Sequence, residues 1–408
     1  MRKNPVLLLL TATALYWFSL YTYPVLLPGH AEQALGASPA AVGGVVGSYG
    51  LVQMLLRTPL GFASDRLRRR KPFLTLGMAM SMTAALGLYL ARSPLAAMLA
   101  RGAAGAAAAS WVAFSVLYAG YGAQTAKGNV RAMGTLSAVM YGAQLAGTQA
   151  GGLLARAAGT RAAFLLAAAA GVLGIACSRL IADRRPGAGS AASPRDLLAV
   201  LKGRSLLACA ALTILMQVIM WSTLYGFSPQ WAAAALGADA GGLALLSTVH
   251  LLPNIVFAWL TGAVLAPRLG PRPVMSLGFA LLALGCAGMP FTAAFGQMLA
   301  LQALCGVGVG CVAPVALALC IRDARPERYG MAMGLYQSLY GIGMFAGPVL
   351  AGALVNAASP VLGGAAQLTV GYRVNFLAMA GVGALGAMLA LLLLPRDGSG
   401  KWKMESGK

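Results

Sequence analysis

Hydrophobic residues run along this chain in long, nearly unbroken stretches with short polar punctuation, not at the periods of a half-buried helix or strand. Twelve such stretches can be marked: 5–28, 39–62, 73–91, 94–120, 131–154 and 161–182, then 206–235, 240–266, 273–293, 296–321, 330–356 and 371–394. Each is close to the roughly 20 residues a helix needs to cross the hydrocarbon core of a bilayer. In that solvent a span must satisfy its own backbone, and runs apolar on every face point to helices. The pattern predicts an all-α membrane protein of twelve transmembrane helices. The opening run through Tyr16, Trp17 and Tyr21 to Pro28 is long enough to span, so it reads as an uncleaved first helix.

Composition agrees. Of 408 residues, 59% are hydrophobic and 10% charged, where a soluble chain has about 25% charged. The net charge of +21 does not indicate nucleic acid, because the basic residues sit in short loops between apolar spans. Those loops alternate sides. One side has only Arg92, Arg156, Arg161 and Arg373; Arg57 and Arg101 fall inside spans, and the other 24 of 30 Lys/Arg share the opposite side. By the positive-inside rule that side is cytoplasmic and holds both termini. Six cysteines (177, 209, 286, 305, 311 and 320) all lie in apolar segments, with no C-x-x-C pair and no His cluster to complete a metal site.

The chain repeats itself. Trp17, Leu20 and Tyr21 recur as Trp221, Leu224 and Tyr225, and Ala132-Met133-Gly134 recurs as Ala332-Met333-Gly334, both at an offset of about 200. Two matches in the same order imply a duplicated six-span unit. The expected organisation is an N-terminal six-helix bundle over 1–182, a cytoplasmic connector over 183–205, a second bundle over 206–395 and a cytoplasmic tail over 396–408. Six spans return the chain to its starting side, so the halves are parallel repeats. That arrangement belongs to transporters, with a site near the midplane.

One motif carries a family resemblance. After the second span comes Gly61-Phe62-Ala63-Ser64-Asp65-Arg66-Leu67-Arg68-Arg69-Arg70-Lys71, which resembles the loop signature of the major facilitator superfamily. Gly262 to Arg272 looks like its degenerate copy in the second half, with Pro267 in place of the acid. Arg101 with Gly105 is similar to that family's fourth-helix R-x-x-x-G pattern, and Gln302 with Gly306 occupies the repeat position. Gly343-Met344-Phe345-Ala346-Gly347-Pro348 resembles the Gly-Pro element of drug-exporting branches. The resemblance implies a two-domain, alternating-access carrier. It also implies that Asp65, Arg66 and Arg69 gate the conformational change at the cytoplasmic ends of spans two and eleven. Gln124 stands where many members place an acid at the end of span four.

Candidate chemistry follows from where charge is found. All nine acids fall outside the spans, so no buried carboxylate is available to carry a proton or hold a cation. The deep charges are Arg57, within snorkelling distance of the interface, and Arg101, in the outer half of span four, either hydrogen-bonded to a neighbouring helix or set to meet an anion. His250 is the titratable group near mid-membrane and would carry a coupling proton, with Arg57. Aromatics and amides make up the remaining candidate solute site: Trp17, Tyr21, Tyr49, Gln53, Tyr141, Gln144, Gln217, Trp221, Tyr225, Asn254, Tyr336, Gln337 and Tyr340, together with Arg101. Gly381, Gly383 and Gly386 match G-x-G-x-x-G but lie within span twelve and read as helix packing. No phosphate-binding G-x-x-x-x-G-K-[ST] occurs, no cofactor is implied, and no nucleophile–base pair suggests an enzyme.

The sequence therefore predicts a monomeric secondary transporter in the bilayer of a prokaryotic cytoplasmic membrane, moving a small-molecule substrate. Its first reading is efflux of amphipathic, drug-like compounds by proton-linked antiport. Its second is uptake or exchange of a small organic anion, with Arg101 as counter-charge.

Overall fold

A computed structural model describes residues 5–67, 69–122, 126–181, 203–320, 322, 329–358 and 365–394. Most of the connector, the tail, Arg68 and Gln124 lie outside the described residues, as does the side chain of Asp65. Among the described residues the chain is helical throughout, with no strand.

The helices follow the predicted spans in order. In the first half they are α1 (Pro5–Tyr21, resuming over Leu27–Leu35), α2 (Pro39–Leu67), α3 (Lys71–Leu90), α4 (Pro94–Ala109, then Trp111–Gly122), α5 (Ala126–Ala158) and α6 (Thr160–Leu180). In the second half, α7 covers Arg204–Ser222 and Ser228–Leu236, joined by the π-helical turn Thr223–Phe227. It is followed by α8 (Ala240–Leu260, extended to Leu269), α9 (Pro271–Gly288), α10 (Phe295–Cys320), α11 (Tyr329–Ala358) and α12 (Ala365–Leu393). Among the described residues, ten helical segments are long and apolar enough to cross a membrane, and Pro5–Tyr21 is a shorter apolar one. The fifth helix, α5, carries Gln144, Thr148 and Gln149 and is the most polar of the long helices.

The predicted first span, 5–28, is not one continuous helix. It stops at Tyr21 and restarts at Leu27, because Pro24 lacks the N–H that would continue the ladder. The equivalent place in α7 is the π-helical turn, ahead of Pro229. Both interruptions fall on the repeated aromatic motif, and both second segments end on a left-handed glycine, Gly36 (φ +64°) and Gly237 (φ +66°). The duplication is thus visible in backbone geometry, including a departure from regular helix of the kind often found at functional sites.

The chain divides into two compact units, Met1–Ser193 with Asp239–Ala244, and Pro194–Ala238 with Leu245–Lys408. Inside the first, α2 packs on α4, α3 on α4 and α6, and α1 on α5 and α6. Small residues let these helices approach: the core around Tyr23 and Phe164 is filled by Ala85, Ala91, Ala97, Ala100, Ala167 and Ala168. With lipid as apolar as the core, close packing and interhelical hydrogen bonds replace the hydrophobic drive between spans. Ser19 Oγ joins α1 to Ser81 of α3 and donates to the Ala167 carbonyl of α6 at 2.8 Å. In the second unit, α9 packs on α10 and α12, and α7 on α10, α11 and α12. Thr213 Oγ1 and the Tyr336 hydroxyl meet at 2.8 Å to tie α7 to α11. Gly383 and Gly386 face Ala283 and Phe279 of α9, so the G-x-G-x-x-G segment serves helix packing.

Candidate solute-binding site

Within its predicted spans the first unit buries two arginines, Arg57 and Arg101. Tyr49, Gln53 and Arg57 are spaced i, i+4, i+8 on α2 and so form one stripe, and all three are buried. Arg101 of α4 lies against the same stripe, its guanidinium 4.4 Å from the centroid of the Tyr49 ring and 5.5 Å from that of Tyr23. It gets there because α4 approaches α2 at Gly105, where any Cβ would run into the Tyr49 carbonyl. One turn before it, Arg101 projects across the seam.

Arg57 does not snorkel. The helix continues past the predicted end of span two to Leu67, placing Arg57 about 15 Å from its end at 1.5 Å per residue. It is 4% exposed and Arg101 2%. Among the described residues Nε and Nη1 of both find no hydrogen-bond partner, and Gln53 Oε1 is likewise unmatched. Cation–π contact contributes about 0.5–2 kcal/mol, whereas removing an ion from water costs several kcal/mol even after relaxation. Tyr23 and Tyr49 therefore cannot by themselves compensate Arg101. The arrangement is a cationic, aromatic-walled cluster.

An aromatic cluster adjoins it. Trp17 stacks edge-on against Tyr16 (5.3 Å between centroids) and Trp111 (5.1 Å), with Tyr21 5.6 Å away. The Tyr16 hydroxyl donates to the Ala107 carbonyl of α4, and Tyr16 is within electrostatic reach of Arg57 and Tyr49. Sequence reasoning selected Trp17 and Tyr21 through their repeat in α7. It did not select Tyr16 or Trp111, which lack a chemical signature separating them from interfacial aromatics.

The second unit repeats the seam without the charge. Gln302 and Gly306 occupy the places of Arg101 and Gly105, and a Cβ on Gly306 would run into the His250 carbonyl, so His250 stands where Tyr49 does. His250 is 3% exposed and Gln302 fully buried. Gln302 is the polar side chain set against the imidazole, though neither ring nitrogen reaches hydrogen-bond geometry among the described residues. Elsewhere in this unit Trp221 and Tyr225 sit 4.9 Å apart, and Tyr336 and Tyr340 5.5 Å apart. Gln217 is buried beside the first of these pairs on α7. Gln144 is buried, while Tyr141, Asn254 and Gln337 are half-buried; none of these four is part of the arginine stripe.

The basic cluster after α2 divides by environment. Arg66 and Arg69, the two chosen from sequence, are exposed. Arg70, which was not, is buried and bonds Ser64 at the end of α2. Lys71 Nζ donates to the Arg179 carbonyl at 2.7 Å, a cation on the last carbonyls of α6, where the helix dipole favours it. The five basic residues from Arg66 to Lys71 are equivalent in sequence, so only the fold separates these roles.

A family model described as Major Facilitator Superfamily matches residues 9–229 and 210–407. Among curated relatives, an uncharacterized MFS-type transporter of Mycobacterium tuberculosis is 24% identical over 44% of this chain and 28% of its own length. A Multidrug resistance protein B homolog from the same species is 33% identical over 32% of this chain and 22% of its own. The chain thus spans less than a third of the curated relatives it matches. Two solved structures share the fold. The nucleoside transporter NupG has a TM-score of 0.75 at 14% identity, over 96% of this chain and 99% of that one. A bacterial homolog of the human lysosomal transporter Spinster, inward-facing and occupied, has a TM-score of 0.78 at 15% identity, over 96% and 97%.

Proposed function

Because this chain belongs to the major facilitator superfamily, a family of multi-pass membrane transporters, we propose that it is a secondary active transporter of a small organic anion, working by alternating access. The observation that carries this reading is the pair of buried arginines, Arg57 and Arg101, whose Nε and Nη1 find no partner among the described residues. All nine acids lie outside the predicted spans. The protein acts as a monomer in a prokaryotic cytoplasmic membrane, with both termini inside. Counterflow in proteoliposomes tests the reading: labelled organic anion should exchange against unlabelled anion across the vesicle. Exchange confined to lipophilic cations would overturn it.

A second reading, efflux of amphipathic compounds by proton-linked antiport, is favoured by the local similarity to the Multidrug resistance protein B homolog and by the aromatic clusters around Trp17 and Trp221. The anion reading takes precedence because aromatic walls serve either solute, whereas unpaired guanidinium groups oppose a cation.

In both readings His250 carries the coupling proton. It is the histidine of the second unit's seam, and exchanging a proton there changes the charge of a buried site. His250→Gln is expected to preserve solute exchange while removing its dependence on an imposed pH gradient; retained dependence would move the proton site elsewhere. Asp65→Asn is expected to slow net turnover several-fold with solute affinity unchanged, because it acts on the conformational equilibrium alone. Equilibrium binding beside initial transport rate distinguishes this from a direct solute contact, which would weaken binding.

A further inference from the structure

The stripe holds two cations, not one, and they stand at different depths. Arg101 of α4 stacks on Tyr49, while Arg57 lies eight residues after Tyr49 on the same α2 face, a Cα rise of about 12 Å from Tyr49. Gln53, halfway between, keeps a buried, unmatched Oε1. Two like charges enclosed in a medium of low dielectric repel each other, and a single monoanion answers only one of them. An oxyanion at each level answers both, and guanidinium is the side chain suited to planar carboxylate or phosphonate groups.

We propose that the ligand of the first unit is a small organic dianion, with one acidic group at Arg101, the other at Arg57 and a flat spacer against Tyr49. This rests on the anion reading above and specifies its substrate class. The second unit has Gln302 at the place of Arg101 and Ala258 at the repeat place of Arg57, so the two-cation arrangement belongs to the first unit alone.

The test is calorimetric titration of the purified full chain with three probes: an aromatic dicarboxylate such as terephthalate, the monocarboxylate benzoate, and tetraphenylphosphonium. The dicarboxylate should bind at least tenfold tighter than benzoate. Arg57→Gln and Arg101→Gln should each reduce it to the benzoate level, and Arg57→Lys, which keeps the charge, should retain the preference. The unliganded melting temperature of each variant establishes that it is folded. Equal affinity for the two carboxylates, or a dicarboxylate affinity blind to Arg57→Gln, overturns the dianion and leaves the anion reading standing. If neither carboxylate binds while tetraphenylphosphonium does, the anion reading itself falls, and the dianion with it.

Discussion

Arg101→Ala is expected to weaken the binding of organic anions sharply while leaving the protein folded. The guanidinium is enclosed by Tyr23 and Tyr49 and is 2% exposed, so an anion meeting it does so out of water. Truncating one partner of such a desolvated pair costs about 2–5 kcal/mol, and 1.4 kcal/mol is tenfold. Affinity should therefore fall by roughly 30-fold to a few thousandfold. The unliganded protein should lose little stability and could gain some, because the variant removes a buried charge that the helices do not compensate. That opposite sign separates a binding arginine from a structural one. A structural Arg101 would show a large drop in melting temperature with no selective effect on anions.

The second large effect is steric. Gly105→Ala and Gly306→Ala each place a methyl against a backbone carbonyl, that of Tyr49 or His250, which cannot rotate away as a side-chain tip can. Overpacking of this kind typically costs about 1–3 kcal/mol. Each variant should lower the melting temperature, and Gly105→Ala should also weaken solute binding by pushing α4, and Arg101 with it, off the α2 stripe. Gly381→Ala is the control: it lies in the G-x-G-x-x-G segment of α12, yet a Cβ there meets nothing within 4 Å. It should be neutral or slightly stabilising, since alanine is the better helix former. Melting curves in one detergent check all three; an unchanged Gly306→Ala would mean that α8 and α10 are not in contact at His250.

How much of this was legible in the sequence depends on the physical signal each feature leaves. The span order survives because a bilayer demands about 20 apolar residues per crossing. The duplication survives in Trp17/Trp221 and in Gly105/Gly306, where geometry restricts the residue. The break after Tyr21 was missed because Pro24 sits in a run that is apolar throughout. Burial of Arg57 was missed for a related reason: span two ends in charged residues that the helix nevertheless includes, so the interface looked a turn closer. Which face of each helix turns inward is hardly encoded, because lipid-facing and core-facing positions are equally apolar. Leu9 is buried and Leu7 is 63% exposed, yet nothing in the sequence separates them. The candidate site was found only where polarity interrupts this uniformity, at Tyr49, Gln53, Arg57, Arg101 and His250. Tyr16 and Trp111, whose importance lies in contact alone, left no such trace.

We propose that Arg57 and Arg101 of the first unit are buried there to meet an anion. Thermal stabilisation of the purified protein by two ligand panels, small organic anions and lipophilic cations, with Arg101→Ala measured alongside, tests it most directly. A ligand that binds the folded state raises the apparent stability by mass action. The account predicts that members of the anion panel raise the melting temperature of the native chain and lose that effect in the variant, while the cations leave both unmoved. Stabilisation by cations or neutral compounds, equal in the native chain and in Arg101→Ala, would contradict it and return Arg101 to a packing role.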